Sequence, residues 1–468
     1  MEIRTIAAIA TPKGQGSIGI IRLSGPLSLS IALSVFKPKL TKKSGDTTGH
    51  FKSHHVYYGH IVDAASNTIV DEVLLFYMKH PKSYTREDVV EIHAHSNYVI
   101  LHSILNLLLN QGAYLAEPGE FTKRAFLNGR IDLTQAEAVI DIIQSQSKIA
   151  LHYAINQVQG QLRFEIEEIR KRMLDILIKL EAMVDFPEDV DSLEFDRFLL
   201  NQTIESTIQE PLKKFLKSYS QGRLIREGLH VVIVGAPNVG KSSLLNRLLE
   251  KPRAIVTPIA GTTRDLIEDM FLLDGMPVVI TDTAGLHQTN DPIETIGIEK
   301  ALDAIHQADI ILWVIDASSC HNEQNDDDGH IFQYIHMKPS IVVINKIDLV
   351  SNPESINRLQ WIPDNIPCVT ISALKNTGIQ ELKKNMLSMF PMHRVDEHTV
   401  VPNLRHQKAI ENAVTAIESF QINLEECLTD EILIIDIRAA ITCMDEILGQ
   451  HVPLDILDHI FSQFCIGK

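Results

Sequence analysis

The chain has 468 residues, 45% of them hydrophobic and 22% charged, which is typical of a globular protein with about two to four domains. A formal net charge of −17 argues against a protein whose surface is basic throughout and binds nucleic acid broadly. It does not exclude a local basic site such as Lys123, Arg124 and Arg130. The five scattered cysteines form no C-x-x-C pair, which excludes a disulfide scaffold and a zinc site and favours a reducing compartment. Without a bilayer-crossing apolar run or a secretory signal, we expect a cytoplasmic protein with no membrane role.

Residues 1 to about 120 alternate short apolar runs with turns in an α+β pattern that has no regular strand–helix–strand order. The pattern predicts a helix at residues 98–109. It predicts strands at residues 6–9, 18–21, 55–62, 70–78 and 89–93.

The character of the chain changes near Phe121, and residues 133–185 are nearly free of glycine and proline. Apolar residues recur there at helical spacing, which predicts two or more long helices with Gly160 as the weak point. The segment from Phe186 to Asp189 ends them. Further helices are predicted at residues 195–219, 407–424 and 430–448.

Between residues 229 and 390, apolar runs alternate with helical segments. Their near-continuous hydrophobicity is typical of strands that are covered on both faces. Leu273-Asp274-Gly275-Met276 predicts a hairpin, so one antiparallel strand joins an otherwise parallel sheet, as in small GTPases. The predicted strands are residues 229–235, 276–282, 310–316, 341–345 and 368–372.

The fold class that we predict is a multidomain α/β and α protein in which an α/β nucleotide domain is inserted into a discontinuous helical domain. The helices before and after the insertion would then pack together. The predicted bounds are 1–120 for an α+β N-terminal domain, 121–226 and 391–468 for the two helical parts, and 227–390 for the nucleotide domain.

Gly235-Ala236-Pro237-Asn238-Val239-Gly240-Lys241-Ser242 fits the phosphate-binding motif G-x-x-x-x-G-K-[ST]. A predicted strand precedes it and a helical run follows, which is the context that the motif needs. Backbone N–H groups and the helix N-terminus would face the phosphates. Lys241 would reach the outer phosphates, and Ser242 would bind Mg²⁺.

Three further motifs follow in the order expected of a GTPase. Asp282-Thr283-Ala284-Gly285 would hold the Mg²⁺ shell through water. Asn345-Lys346-Ile347-Asp348 carries a carboxylate that would accept two hydrogen bonds from guanine and so select GTP over ATP. The alternative role of an isolated Asp348 is a helix cap. Ser372-Ala373-Leu374 lies where a backbone N–H would meet guanine O6, and Thr263, within Gly261 to Asp265, is the second predicted Mg²⁺ ligand.

Leu286 follows Gly285 where many GTPases have a glutamine that orients the attacking water. Hydrolysis therefore needs another water-positioning group and another positive charge. Asn238 supplies an oxygen at which a monovalent cation would sit. Glu294 is a candidate to orient water, but its spacing alone favours a solvated carboxylate at a helix start.

These motifs, together with Ala260-Gly261-Thr262-Thr263-Arg264-Asp265 and the terminal Cys465-Ile466-Gly467-Lys468, resemble the MnmE/TrmE family of tRNA-modifying GTPases. The resemblance covers essentially the whole chain. It extends to residues 19–25, 118–121, 124–128 and 132–138.

The resemblance implies a tetrahydrofolate-binding, aminomethyltransferase-like N-terminal domain that forms a homodimer. It implies a Ras-like GTPase domain that is activated when two copies meet around K⁺. It also implies a heterotetramer with a flavin-dependent MnmG/GidA-like partner. Together they would add a carboxymethylaminomethyl or aminomethyl group to C5 of the tRNA wobble uridine, with a one-carbon unit from 5-formyl- or methylene-tetrahydrofolate.

By matching positions, Glu294 and Lys241 are the implied catalytic residues and Ser242 and Thr263 the Mg²⁺ ligands. Asn238, Thr257, Ile259 and Thr262 are the implied K⁺ ligands. The implied folate residues are Arg22, Glu91, Arg130 and Lys468, which would otherwise be ordinary surface charges. The GTP contacts are Asn238, Val239, Gly240, Lys241, Ser242, Ser243, Thr257, Pro258, Ile259, Ala260, Gly261, Thr262, Thr263, Asp282, Thr283, Ala284, Gly285, Asn345, Lys346, Asp348, Ser372 and Ala373.

Cys465 is a third candidate catalytic residue, because a thiol with a lowered pKa is a nucleophile and Lys468 is close in sequence. The alternative is a small residue packed with Phe461 and Phe464. At the level of the whole chain, the rival function is a regulatory GTPase that binds the ribosome or RNA without modification chemistry. A third hypothesis is a stand-alone folate aminomethyltransferase.

Overall fold

A computed structural model describes residues 4–12, 14, 16–39, 51–185, 196–249, 268–282, 303–318, 338–350, 366–390, 401–450 and 452–468. The chain divides into two compact units. The first comprises Met1–Ile143, Gln157–Leu212 and Lys408–Lys468, and the second comprises Gln144–Asn156 and Lys213–Gln407. None of the helices in these described ranges is both long and apolar enough to cross a membrane.

Seven strands of the first unit form one sheet: β1 (Ile6–Ile9), β2 (Ile18–Ser24), β3 (Phe36–Pro38), β4 (His55–Asp63), β5 (Thr68–Met78), β6 (Val89–His95) and β7 (Tyr114–Leu115). Their order is β3-β4-β5-β6-β2-β1-β7, and neighbours are antiparallel except for the parallel pair β1–β7. All five strands predicted for this region are confirmed, together with the helix near residue 98.

Side chains alternate across this sheet, so each strand has two different faces. Ile21, Leu23 and Ile92 are fully buried in a core that also contains residues of helices α1 (Ser28–Val35) and α2 (Tyr98–Asn110). Arg22 and Glu91 alternate with those residues and therefore lie on the opposite face. The sheet thus places two of the implied folate residues side by side.

Six helices follow: α3 (Glu120–Leu127), α4 (Leu133–Gln144), α5 (Lys148–Val158), α6 (Gln161–Asp185), α7 (Arg197–Ile204) and α8 (Glu210–Glu227). The predicted weak point is confirmed, because Gly160 adopts φ of 88° between α5 and α6. A second break separates α4 from α5, where Ser147 Oγ accepts a hydrogen bond of 3.0 Å from the Ala150 N–H. The helices of this region are therefore three shorter pieces.

Six strands of the second unit form another sheet: β8 (Leu229–Val234), β9 (Glu268–Leu273), β10 (Met276–Asp282), β11 (Ile310–Asp316), β12 (Ser340–Asn345) and β13 (Cys368–Thr370). The order is β13-β12-β11-β8-β10-β9, and only β9 is antiparallel to its neighbour. The predicted hairpin and mixed sheet are confirmed. Val231 and Ile233 enter one core while Val232 and Val234 enter another, which explains the continuous apolar runs.

Further helices whose bounds lie within the described residues are α9 (Lys241–Leu248), α10 (Ile379–Met389), α11 (Leu404–Glu425), α12 (Asp430–Leu448) and α13 (Leu454–Ser462). Helix α6 packs along α12, and Arg170 Nε donates to Asp445 Oδ1 over 2.5 Å. The predicted packing between helices on either side of the inserted nucleotide domain is therefore confirmed.

Candidate functional site

The phosphate loop connects the end of β8 to the first turn of α9, and two glycines give it its shape. Gly235 has φ of 146° and Gly240 has φ of 99°, both outside the range that other residues adopt easily. A Cβ on Gly235 would lie 2.3 Å from the Val314 carbonyl oxygen, and one on Gly240 would lie 2.2 Å from Asn345 Nδ2. Neighbouring strands therefore press against the loop at both ends.

The predicted catalytic lysine folds back against the same loop. The side chain of Lys241 is buried, and its Nζ donates hydrogen bonds of 2.7 Å to Gly235 O and 3.0 Å to Ala236 O. These carbonyls hold the ammonium beside the N-terminus of α9, where anions bind favourably. Ser242, the second residue of that helix, and Asn238, with φ of 62°, have exposed side chains on the loop.

Asn345 ties the phosphate loop to the third motif. Its buried amide donates to Val239 O over 2.9 Å through Nδ2, and its Oδ1 accepts from the Ala373 N–H over 3.0 Å. Both ends of the predicted nucleotide site therefore depend on one side chain. The Ala373 N–H, a candidate for guanine O6, is engaged by Asn345 in this structure.

The carboxylate of Asp348, which is predicted to select guanine, is oriented by a buried hydroxyl. Ser372 Oγ donates to Asp348 Oδ1 over 2.5 Å, and this hydrogen bond is the main cause that lowers the pKa of Asp348. Next to it, Lys346 Nζ donates to Asp316 Oδ2 over 2.7 Å. Burial alone would raise the pKa of Asp316, but hydrogen bonds from Lys346 and Ser318 outweigh it and lower the pKa.

A second cluster lies in the first unit, on the sheet face opposite the α1–α2 core. Arg22 on β2 and Glu91 on β6 are directly opposite in register, and Arg22 Nε donates to Glu91 Oε1 over 2.8 Å. The guanidinium carbon of Arg22 lies 5.8 Å from the centre of the Tyr84 ring and 5.7 Å from that of Phe121. His93 Nε2 lies 3.4 Å from the other oxygen of Glu91.

The C-terminal segment Cys465-Ile466-Gly467-Lys468 docks against this cluster. Arg22 Nη1 donates to Gly467 O over 3.3 Å, and the Phe121 N–H donates to Lys468 O over 3.2 Å. Gly467 has φ of 95°, and a Cβ there would lie 2.4 Å from Ile9 O. The last residues of the chain therefore fit closely between β1 and the start of α3.

Arg130 joins the same cluster from the loop after α3. Its guanidinium carbon lies 4.6 Å from the centre of the Tyr84 ring, and its Nη1 donates to Tyr84 O over 2.9 Å. Tyr84 thus contacts both Arg22 and Arg130. The structure brings three of the four implied folate side chains into one site and places the backbone of the fourth, Lys468, beside Phe121.

Two sequence models of protein families match this chain. One, described as the MnmE helical domain, matches residues 133–465, and one described as the GTP-binding protein TrmE N-terminus matches residues 5–130. A tRNA modification GTPase MnmE of Acetivibrio thermocellus is 43% identical over 466 residues, which cover 99% of each chain. That of Bacillus subtilis is 40% identical over 99% of this chain and 100% of its own.

The chain belongs to the MnmE family.

Solved structures of other GTPases are similar to parts of this MnmE family member. The GTPase Era of Aquifex aeolicus bound to GDP.AlF4- is 34% identical and covers 40% of this chain and 65% of its own, with a TM-score of 0.30. At that score the likeness adds nothing to the strand order described above.

Several predicted residues of this MnmE family member lie outside the described residues. They are Thr257, Pro258, Ile259, Ala260, Gly261, Thr262, Thr263, Thr283, Ala284, Gly285, Leu286 and Glu294. Asp282 ends β10, opposite Ile233 of β8, so its backbone lies next to the strand that leads into the phosphate loop.

The structure adds residues that no motif marked. Arg247 of α9 donates to Ala373 O over 2.7 Å and to Leu374 O over 2.8 Å, which fixes the loop near the predicted guanine position. Tyr84 and His93 surround the Arg22–Glu91 pair. In the sequence, Tyr84 is an aromatic residue within the polar segment Ser83–Glu87, which is a weak indication of a binding role. Nothing in the sequence indicated a role for Arg247.

The two alternatives for Cys465 are partly separated. Phe461 and Phe464 are buried in a core with Leu133 and Ala136, but the Cys465 thiol is free and its side chain is exposed. Its carbonyl accepts hydrogen bonds from the N–H groups of Gly119 and Lys468. The backbone of Cys465 therefore takes part in the docking, and its side chain is not packed with the two phenylalanines.

Proposed function

We propose that this chain couples GTP hydrolysis to modification of C5 of the tRNA wobble uridine, with a tetrahydrofolate as the source of the carbon. The chain is a P-loop GTP hydrolase of a family whose curated relatives are named tRNA modification GTPases. The observation that supports the folate part is the docking of the C-terminal segment against Arg22, in a cluster far from the nucleotide motifs in sequence. A simple regulatory GTPase would have no use for such a site.

In the GTPase part, Asp348 would select guanine and Lys241 would contact the outer phosphates. The exposed hydroxyl of Ser242 at the start of α9 fits an Mg²⁺ ligand, with Thr263 as the second. Asn238 fits a K⁺ ligand, because its exposed amide stands on the phosphate loop, together with Thr257, Ile259 and Thr262. Glu294 would orient the attacking water. Bound K⁺ would supply the positive charge that an arginine finger supplies elsewhere.

The residues of the second cluster fit a folate. Glu91, held by Arg22, would accept hydrogen bonds from the N–H groups of the pterin ring. Arg130 and Lys468 would bind the carboxylates of its glutamate. The rings of Tyr84 and Phe121 offer flat apolar surfaces beside the guanidinium of Arg22. Folate bound at this cluster would supply the one-carbon unit. The exposed thiol of Cys465, which is close in sequence to Lys468, is the candidate nucleophile of this site.

We further propose that the chain acts as a homodimer, and with a flavin-dependent MnmG-like partner. Apolar side chains on paired strands β4 and β5 support a protein interface. Tyr58 and Leu74 are opposite in register and are 44% and 40% exposed, and Val56 beside them is 51% exposed. We place the activity in the cytoplasm, where GTP and tRNA meet.

Binding of 5-formyl-tetrahydrofolate and GTP to the purified chain tests this proposal. We expect both to bind, and we expect Arg22→Ala to lose the folate and keep GTP. GTP binding without any folate binding in the wild-type chain would favour the regulatory GTPase. Equal rates of GTP hydrolysis in Na⁺ and K⁺ would contradict the cation mechanism alone.

A further inference from the structure

An open cavity of about 570 Å³ lies beside the Tyr84–Arg130 contact and is lined by His80, Pro81, Arg86 and Asn128. Next to it, hydrogen bonds join two short segments, residues 84–86 and residues 128–130. Arg86 Nη1 donates to Asn128 O over 3.0 Å, and Asn128 Nδ2 donates to Thr85 O over 2.7 Å. With the bond from Arg130 to Tyr84 O, three side chain–backbone hydrogen bonds join residues 84–86 to residues 128–130.

The cavity is lined by the side chains of an arginine and a histidine and by no carboxylate from the described part of the chain. Arg86 and Arg130 are exposed, and neither makes an ion pair with a carboxylate among the described residues. The two acidic residues that follow Arg86 have other partners, one of them the backbone of the lining residue His80. Glu87 accepts from Ser24 Oγ and Arg124 Nη1, and Asp88 accepts from the His80 N–H and the Tyr77 hydroxyl.

The turn that forms the other wall adds further basic groups. Lys79, His80 and Lys82 are all exposed there, and the Lys82 N–H donates to Lys79 O. Arg86 itself has φ of 55°, a left-handed conformation that few residues other than glycine and asparagine adopt. In a chain of net charge −17, these residues form a local cluster of basic side chains.

The contacts form a continuous path from the proposed pterin end to this cavity. Glu91 pairs with Arg22, Arg22 and Arg130 both contact the Tyr84 ring, and Tyr84 and Arg86 flank Thr85. A folate that placed its pterin at Glu91 and its glutamate at Arg130 would point its terminal γ-carboxyl toward Arg86. In a folate with additional γ-linked glutamates, each added residue carries one more carboxylate in that direction.

We propose that the cavity binds the poly-γ-glutamate tail of the folate, with Arg86 and His80 as its main contacts. The inference rests on the proposed folate function. The openness of the cavity fits a flexible tail that leaves the protein surface, and planar guanidinium groups suit carboxylates. RNA phosphate is the other anion that such charges attract, but the contact of the cavity with the Arg22–Tyr84–Arg130 path favours the tail.

The test compares the dissociation constants of 5-formyl-tetrahydrofolate carrying one glutamate and carrying three. In the wild-type chain we expect the triglutamate to bind about 5-fold more tightly, the gain expected of exposed ion pairs. The ratio should fall toward 1 as NaCl rises from about 0.05 to about 0.5 M, because salt screens exposed charges. This salt series needs no variant.

Arg86→Asn removes the charge and suits the left-handed backbone, so we expect a ratio near 1. Arg86→Lys keeps the charge and should retain most of the ratio, which separates loss of charge from damage to the fold. Lys37→Gln, an exposed cation on β3, is the matched control and should keep the wild-type ratio.

A ratio of 1 in the wild-type chain, or a ratio that Arg86→Asn leaves unchanged, would overturn the inference while the folate function stands. Loss of tRNA affinity in Arg86→Asn with an unchanged ratio would overturn it in favour of an RNA contact. If neither folate binds the wild-type chain, the proposed folate function itself fails and the tail site fails with it.

Discussion

Ser372 donates a hydrogen bond of 2.5 Å to Asp348 Oδ1 although the two residues are 24 positions apart. The hydroxyl is buried, and it lowers the pKa of the carboxyl. Asp348 therefore stays ionised until the pH falls through that lowered pKa, and an ionised carboxylate only accepts hydrogen bonds. Two accepting oxygens are what the N1–H and amine of guanine require, so this contact supports the proposed role of Asp348 in selecting GTP.

Asp348→Asn should change the base that the chain prefers. An amide offers one acceptor and one donor, which suits xanthine, where a carbonyl replaces the amine of guanine. We expect GTP affinity to fall about 10- to 100-fold, the value of a charged hydrogen bond, and xanthosine triphosphate to bind better than GTP. Fluorescent-nucleotide titrations measure both affinities.

Asp274→Asn is the matched control, because it makes the same charge change in the exposed turn between β9 and β10 and should leave both affinities unaltered. Unchanged GTP preference in Asp348→Asn would mean that another group reads the base.

Gly240→Ala should disrupt the phosphate loop through Asn345. The added Cβ would lie 2.2 Å from Asn345 Nδ2 and would displace the bond to Val239 O, in addition to a strain of about 1 kcal/mol from positive φ. Gly275→Ala has a similar φ of 85° but meets only Ile149 Cδ1 at 3.6 Å. We expect the GTP affinity of Gly240→Ala to fall at least about tenfold and that of Gly275→Ala to be retained. Similar GTP affinities in the two variants would show that the backbone strain alone matters and that the contact with Asn345 does not.

Gly467→Ala should release the C-terminal segment from β1, because its Cβ would lie 2.4 Å from Ile9 O. Loss of the Gly467 carbonyl contact frees Arg22 to turn from Glu91, so folate affinity should fall about tenfold. Ile466→Ala, whose side chain is 53% exposed, is the control and should bind folate normally. Isothermal titration with 5-formyl-tetrahydrofolate measures both, and normal affinity in Gly467→Ala would exclude a role for the docked segment.

His95 should make the stability of the first unit depend on pH. Its hydrogen bond with Asp71, over 2.8 Å, is the main cause that raises the pKa of His95 above 6.5. The stabilisation that this hydrogen bond gives the folded first unit is complete below the pKa of His95 in the unfolded chain. It is lost as the pH rises through the raised pKa of His95 in the folded chain. His95→Gln should therefore lower the melting temperature more at pH 5.5 than at pH 8.5, whereas an equal loss at both would mean that the pair is not charged.

Much of the fold followed from local patterns in the sequence. Strands such as Leu229–Val234 have long apolar runs, and the break at Gly160 follows from a single glycine between helical repeats. Helices Ser28–Val35 and Leu454–Ser462 were missed, since short apolar segments rich in β-branched residues or serine fit a strand or a loop equally well. The sequence motifs also predicted which segments form the nucleotide site and in which order they occur along the chain.

The second site could not be assembled from spacing alone. Arg22 and Gly467 are 445 positions apart, and Tyr84 reaches both arginines only after the sheet and the loop behind α3 have formed. Likewise Asn345 was expected at the nucleotide, but its role in joining Val239 to Ala373 depends on three separate strand ends. Such contacts are tertiary, and only a resemblance to a family pointed to part of them.

The most direct measurement is mass spectrometry of wobble nucleosides in tRNA from cells that lack this chain. Cells complemented with Arg22→Ala and with Lys37→Gln provide the matched pair. We expect unmodified wobble uridine in the deletion strain and with Arg22→Ala, and normal modification with the wild-type chain and with Lys37→Gln. A deletion strain that keeps its normal wobble uridines would contradict the proposed function.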